Sequence, residues 1–274
     1  MNKNLEITIL AENSVEKRGL LAEHGLSFYI NYNGEEYLFD TGQGLVLTHN
    51  AKKLGINLNK ISSVILSHGH DDHTGGLAKM LEINPELEVI AHKDAFAPKF
   101  KKSKNKLEFI GNNSSSEKIK RFTNAENKTK INGNMYVTGE VPVSKNEYIN
   151  EKYIIKEKKN KLIDNFKDDI TLYFETEKGV VVLLGCSHKG VINILEYVKK
   201  LTNGKRIRAI LGGMHLKHSS DKEVKKIIDY FSELSFDLLV PIHCTGNKAA
   251  MMMKDRFKEK VKIASVGDNY KKGF

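Results

Sequence analysis

The chain has 274 residues, a formal net charge of +10 (44 Lys and Arg against 34 Asp and Glu) and two cysteines. That length suffices for a large core, in one α/β domain or two smaller ones, while so few cysteines exclude a disulfide-stapled secreted module. No apolar run approaches the roughly 20 residues a transmembrane helix requires, and the opening segment Met1–Glu6 lacks the apolar stretch of a secretory signal, so a cytoplasmic protein without membrane association is expected.

Extended segments and tight turns alternate at first. Strands are predicted at Leu5–Ala11, Leu26–Tyr32 and Glu36–Phe39, the last two joined by Asn33-Gly34, a pair suited to the positive-φ turn of a hairpin. A helix over Val46–Leu54 is closed by Gly55. The apolar run Ile61–Leu66 reads as a buried strand that delivers a histidine-rich loop; beyond Gly75-Gly76, a short helix Leu77–Ile83 leads to a strand Glu88–Ala91. Residues 100–134 are poor in apolar side chains and rich in Lys, Asn and Ser, with a mobile tip expected over Asn112–Ser116; they read as an insertion into a single domain spanning 1–274. From Lys99 to Lys130 there are ten basic residues against three acidic ones, and a second Lys-rich stretch runs from Lys145 to Lys161. Neither interleaves lysines with regular aromatics, so solvated lysines are expected, nucleic acid is disfavoured as a partner, and the charge suits a small anionic substrate. Oligomeric state, including a homo-oligomer, stays open.

Met135–Thr138, Ile170–Glu175 and Val180–Leu184 follow as strands, the last apolar enough to be buried on both faces. Then helices at Val191–Leu201, Asp221–Leu234 (capped by Asp221) and Lys248–Phe257 alternate with strands at Ile207–Leu211, Leu238–Ile242 and Val261–Ser265. Met251-Met252-Met253 reads as helix packing. Strands before helices, twice over, predict two packed sheets flanked by helices.

The chemistry is concentrated in His68-Gly69-His70-Asp71-Asp72-His73. On an extended strand end, positions two apart point the same way, so His68, His70 and Asp72 are expected on one face, with His73 entering from the turn. Imidazole nitrogens and a carboxylate are donors for zinc, with iron and manganese as alternatives, and four of them exceed what one tetrahedral ion takes from a single loop. Two adjacent divalent ions fit better: His68 and His70 on the first, Asp72 and His73 on the second, with hydroxide between them as nucleophile. One loop cannot surround an ion, and other strands end in suitable residues: Gly185-Cys186-Ser187-His188, Gly212-Gly213-Met214-His215 and His243-Cys244-Thr245-Gly246. His243 is the leading added ligand; His188 and Cys186 compete for the next place. His215 is placed in the pocket wall as proton shuttle or substrate contact, Cys244 in packing, and Asp40 behind a ligating imidazole. His24 either reaches the pocket or stays on the surface, and His92 and His218 are unremarkable.

His68-x-His70-x-Asp72-His73 after an apolar strand, with Asp40-Thr41-Gly42 upstream and His243 late in the chain, resembles the metallo-β-lactamase superfamily. The words Glu23-His24-Gly25-Leu26-Ser27, Leu184-Gly185-Cys186-Ser187-His188, Gly212-Gly213-Met214-His215-Leu216 and Pro241-Ile242-His243-Cys244-Thr245-Gly246 are similar to its dihydropterin-ribofuranosylaminobenzene-phosphate synthase-like branch. The resemblance implies an αββα sandwich of two mixed sheets, with a metal site at the edge between them. This chain departs from the superfamily pattern twice. The usual histidine between the first loop and the middle strand is missing, since His92 comes too early, so His188 or Glu140 takes that role or the first ion keeps an open position. Cys186 stands where a bridging aspartate is common.

The resemblance implies a metal-dependent hydrolase acting on a small anionic substrate, with Asp72 holding the second ion and orienting the nucleophile and His215 or His24 assisting the leaving group. A transferase joining a pterin pyrophosphate to an aminobenzene ribofuranosyl phosphate is the alternative. A metal-dependent nuclease ranks below both, because no additional arm or domain for nucleic acid is evident.

Overall fold

The computed structural model describes residues 5–104, 106–112, 116–142, 152–157 and 160–271. Among these, one sheet runs in the order Asn269–Tyr270, Leu5–Ala11, Ser27–Tyr32, Glu35–Phe39, Ile61–Ile65, Glu88–Ala91, Arg121–Asn124. The second runs Leu238–Pro241, Ile207–Gly212, Gly179–Leu184, Leu172–Thr176, Met135–Val137, Thr129–Asn132. Because successive strand residues face opposite ways, Ile7, Ile9, Phe28 and Ile30 of the first sheet meet Leu172, Phe174, Val181 and Leu183 of the second in a shared core. The residues between them turn outward. Leu10, Leu38 and Val64 pack against helices Leu47–Lys53 and Leu77–Ile83, and Val180, Val182 and Ile210 against helices Val191–Leu201, Asp221–Glu233 and Asn247–Phe257. The result is an αββα sandwich. In the methionine run, Met253 is buried whereas Met251 is exposed. No helix among the described residues is long and apolar enough to cross a membrane.

Strand direction gathers the polar residues at one edge. Glu35–Phe39, Ile61–Ile65 and Glu88–Ala91 are mutually parallel neighbours, as are Gly179–Leu184, Ile207–Gly212 and Leu238–Pro241. Asp40, the histidine loop, Cys186, His215 and His243 therefore all follow strands that finish on the same side of the sandwich.

Three sequence expectations change. The helix at 221 is capped by Ser220, whose hydroxyl accepts from Glu223 N while the Glu223 carboxylate accepts from Ser220 N; Asp221 is the first helical residue. Val261–Ser265 is not a strand: Val261 makes only an isolated bridge to Leu239, and Val266 N donates to Ser14 O at 3.0 Å, so the chain crosses to the other sheet, where Asn269–Tyr270 pairs with the first strand. Tertiary pairing overrides local β-propensity there. Finally, the Lys-rich segment carries strands that its composition concealed. Lys99–Ser103 and Lys106–Phe109 pair into a small third sheet ordered Asn160–Ile163, Tyr153–Glu157, Lys99–Ser103, Lys106–Phe109; Arg121–Asn124 and Thr129–Asn132 extend the main sheets. These strands keep one face toward solvent, which leaves too few apolar residues to reveal a period of two. The tip expected at 112–116 falls mainly on residues 113–115, and the stretch 145–161 mainly on 145–151 and 158–159, outside the described residues.

Candidate metal centre

The histidine loop is not one extended strand end. The strand stops at Ile65, His70 is extended (φ −77°, ψ 148°), and Asp71–Thr74 form a single helical turn. Asp72 and His73 thus project from a helical turn rather than from the extended segment that carries His68 and His70, and His73 still converges with His68, their ring centroids 4.3 Å apart.

Asp40 anchors both pairs. Fully buried and at φ 62°, it accepts Ser67 N at 2.7 Å, Ser67 Oγ at 2.7 Å and His73 Nδ1 at 2.7 Å. Since the Ser67 hydroxyl donates to Asp40, its oxygen is left to accept from His68 Nδ1, 2.9 Å away. One carboxylate thereby sets the tautomer of His73 directly and of His68 through Ser67, turning each Nε2 lone pair inward. Gly185 permits the second sheet to approach this anchor, since a Cβ there would lie 2.2 Å from Ser67 Oγ.

His68 Nε2 lies 3.0 Å from His70 Nδ1, and both rings share with His188 a set of donor atoms within 4.8 Å of one another. Burial pushes the pKa of His70 down to about 3 and those of His68 and His188 well below the ordinary imidazole value. These three are neutral donors. On the other side, His73 Nε2 is 3.1 Å from both His243 Nε2 and Cys186 Sγ, and Asp72 Oδ2 is 3.4 Å from His243 Nε2. The Nδ1 of His243 faces Asn13 Oδ1 at 3.0 Å, so its lone pair also points inward. A proton between two nitrogens satisfies only that pair, whereas a divalent ion would serve several donors at once: the ligand atoms of Asp72, His73 and His243 lie within 4.8 Å of one another, and those of Cys186, His73 and His68 form a second such group. Buried imidazoles whose outer N–H groups are already held, facing a carboxylate and a thiol, fit such an ion.

Burial works against a charged His73, yet Asp72 and Asp40 together outweigh it and push its pKa up to about 9; burial likewise opposes ionised Asp72, but His73 and His243 hold it well below the usual carboxylate range. Without metal, His73 therefore carries a proton below about pH 9, and a ligating imidazole must lose it. Zinc binding at pH 7.5 is expected to release about one proton from this group, a contribution that falls away as pH rises through 9, in addition to the proton that a ligating Cys186, kept as a thiol by burial, must lose. Calorimetry in buffers of different ionisation enthalpy reads that number; release independent of pH between 7.5 and 10 would contradict it.

His215 and Cys244, expected in the pocket wall and in packing, both lie beside the donor clusters. The His215 ring centroid is 4.4 Å from that of His188, its backbone N donates to Cys244 Sγ at 3.3 Å, and the donor atoms of Cys186, His215 and Cys244 lie within 4.8 Å of one another. His24 stays exposed at the rim, with Nε2 3.4 Å from Asp72 Oδ2. Glu140 joins none of these clusters among the described residues, and its backbone N donates to Glu126 O. His92 accepts from Asp94 N at 3.1 Å, and His218 is exposed. Ser187, His215 and His243 share with Asp40 a left-handed backbone (φ 60°, 52°, 54° and 62°), costing about 1–3 kcal/mol each in general.

Sequence reasoning missed several supports. Glu12, directly after the first strand beside Asn13, accepts His243 N at 3.2 Å. Glu23 accepts the backbone N–H groups of Gly44, Leu45 and Val46. Lys99, fully buried, pairs with Asp164 at 2.7 Å and Asp168 at 2.9 Å, and the other Asp168 oxygen accepts Gly69 N at 2.8 Å, inside the histidine loop. Phe166 stacks on His188 with ring centroids 4.3 Å apart and planes 4° from parallel. The Asp-Asp pair at 168–169 just before a strand was the one visible signal.

Comparison with known proteins agrees with this geometry. Residues 21–194 match the metallo-beta-lactamase superfamily. An uncharacterised protein of Methanocaldococcus jannaschii is 36% identical over 253 residues, covering 89% of this chain and 91% of that protein. From the same organism, 7,8-dihydropterin-6-methyl-4-(beta-D-ribofuranosyl)-aminobenzene-5'-phosphate synthase is 31% identical over 280 residues, covering 93% and 92%. The crystal structure of Tm1679, a metal-dependent hydrolase of the beta-lactamase superfamily, superposes with a TM-score of 0.85 at 32% identity, covering 97% of this chain and 98% of that one. From the histidine loop, the αββα architecture and these relatives together, the chain belongs to the metallo-β-lactamase superfamily.

Proposed function

We propose that the protein is a metal-dependent hydrolase of small anionic substrates, in which His68, His70 and His188 hold one divalent ion and Asp72, His73, His243 and Cys186 a second, zinc ahead of iron or manganese. The supporting observation is the convergence of imidazoles, one carboxylate and one thiol in overlapping clusters, His68 grouping with His70 and His188, His73 with Asp72 and His243, and Cys186 with both His68 and His73. When bound, such ions supply Lewis acidity toward a substrate oxygen and make water nucleophilic near neutral pH. The chain's own groups do the rest. Asp40 fixes the tautomers, Asn13 and Glu12 hold the His243 loop, and Asp72, flanked by His24 and His243, orients the nucleophile. His215 lies beside His188, its buried Nδ1 without a hydrogen-bond partner among the described residues, and passes a proton to the leaving group.

A transferase is the second reading, favoured by the 31% identity over most of both chains to a protein named as a synthase. Turnover of phosphate esters, phosphodiesters, thioesters and lactones with defined added metal separates the two. Hydrolysis of at least one ester class is expected. Pyrophosphate release requiring a pterin pyrophosphate and an aminobenzene ribofuranosyl phosphate together, with neither consumed alone, would instead establish the transferase.

A further inference from the structure

The small third sheet covers the metal centre, and its inner face is unusual. Tyr153 pairs with Lys101, and Ile155 with Lys99, across antiparallel strands, so the period of two puts these four side chains on one face. Lys99 has two carboxylate partners on that face. Lys101 is half-buried, its Nζ 5.9 Å from the Tyr153 ring centroid, and among the described residues it has no ion-pair partner. Lys102, on the opposite face, is exposed. The Tyr153 ring lies 5.6 Å from the His70 ring at 24° and 5.4 Å from that of His188, and its hydroxyl is 3.5 Å from His215 Nε2. A half-buried ammonium with no counter-ion among the described residues is available to an anion. An anion seated beside the metal centre would supply the missing charge.

We infer that Lys101 and Tyr153, with His215, form the subsite that holds a phosphate group of the substrate against the metal centre. This deepens the hydrolase reading and rests on it for its anionic substrate. Three donors from three segments, an ammonium and a phenol on neighbouring strands and an imidazole after Ile207–Gly212, suit a group with several peripheral oxygens better than a planar carboxylate.

The test is inorganic phosphate binding to the zinc-loaded full chain, followed by calorimetry. Lys101→Met keeps the aliphatic stem against Tyr153, and Tyr153→Phe keeps the ring, so both preserve packing. Lys101→Met is expected to weaken phosphate about tenfold and Tyr153→Phe several-fold, because each removes a hydrogen bond to a charged group, while Lys102→Met matches the parent. Equal phosphate affinity in all four proteins, or none in the parent, overturns the subsite. Hydrolysis of p-nitrophenyl acetate, followed separately, distinguishes the two ideas. Turnover with a Lys101-independent phosphate affinity removes the subsite and keeps the hydrolase; a Lys101-dependent affinity without turnover of any ester removes the hydrolase and keeps the subsite.

Discussion

Replacing His70 with alanine is expected to remove about one divalent ion per chain and to lower kcat/KM about a thousandfold. His70 offers Nδ1 to the cluster with His68 and His188, and without it two neutral donors remain, fewer than the three protein ligands that catalytic zinc sites usually keep. The rate estimate follows from the several kcal/mol that a Lewis acid contributes to a transition state, at about 1.4 kcal/mol per tenfold. Elemental analysis of the purified variant reads the first effect and steady-state kinetics the second. The ring also packs against Tyr153 and Phe166, so a melting curve should accompany both. A folded variant with undiminished metal content would remove His70 from the ligand set.

Asp40→Asn is expected to weaken metal affinity by about 10–100-fold despite an almost unchanged shape. The native carboxylate takes three hydrogen bonds, two from Ser67 and one from His73, and only a carboxylate can accept all three. The amide has one acceptor oxygen and an NH2 group that must face either the serine or the imidazole. If it faces His73 Nδ1, the imidazole proton moves to Nε2, the atom 3.1 Å from His243 Nε2 and Cys186 Sγ, and the lone pair turns away from the centre. If it faces Ser67, the link to His68 is lost instead. Competition with a chromogenic chelator measures the affinity. Retention of full affinity in a folded Asp40→Asn protein would show that the second N–H of His73 does not govern the site. Ser67→Ala, which removes only the relay to His68, should cost less.

Much of the site was legible from local pattern. A strand flanked by a donor-rich loop has a recognisable period and a recognisable end, so Ile61–Leu66 with His68, His70, Asp72 and His73 stood out, as did the histidines after the later core strands. The parallel register of those strands then brings their ends to one edge, which explains why residues separated by more than a hundred positions meet at 3.1 Å, as His73 and His243 do. What spacing misjudged was direction within the loop. Periodicity on an extended strand grouped Asp72 with His68 and His70, whereas the helical turn beginning at Asp71 turns it toward His243.

The sequence by itself determined the strand-helix order, the apolar alternation that makes a four-layer sandwich, and the chemistry of the donors, because each depends on residues a few positions apart. Only the tertiary structure decided that His188 rather than Glu140 joins His68 and His70, that Asp40 governs two imidazoles, and that a lysine-rich stretch folds over the centre with Lys99 buried between Asp164 and Asp168. Those outcomes depend on pairings such as Lys101 with Tyr153, between segments too distant in sequence for any periodicity to register. A lysine strand reads as solvent-loving until the carboxylates that neutralise it arrive from elsewhere in the fold.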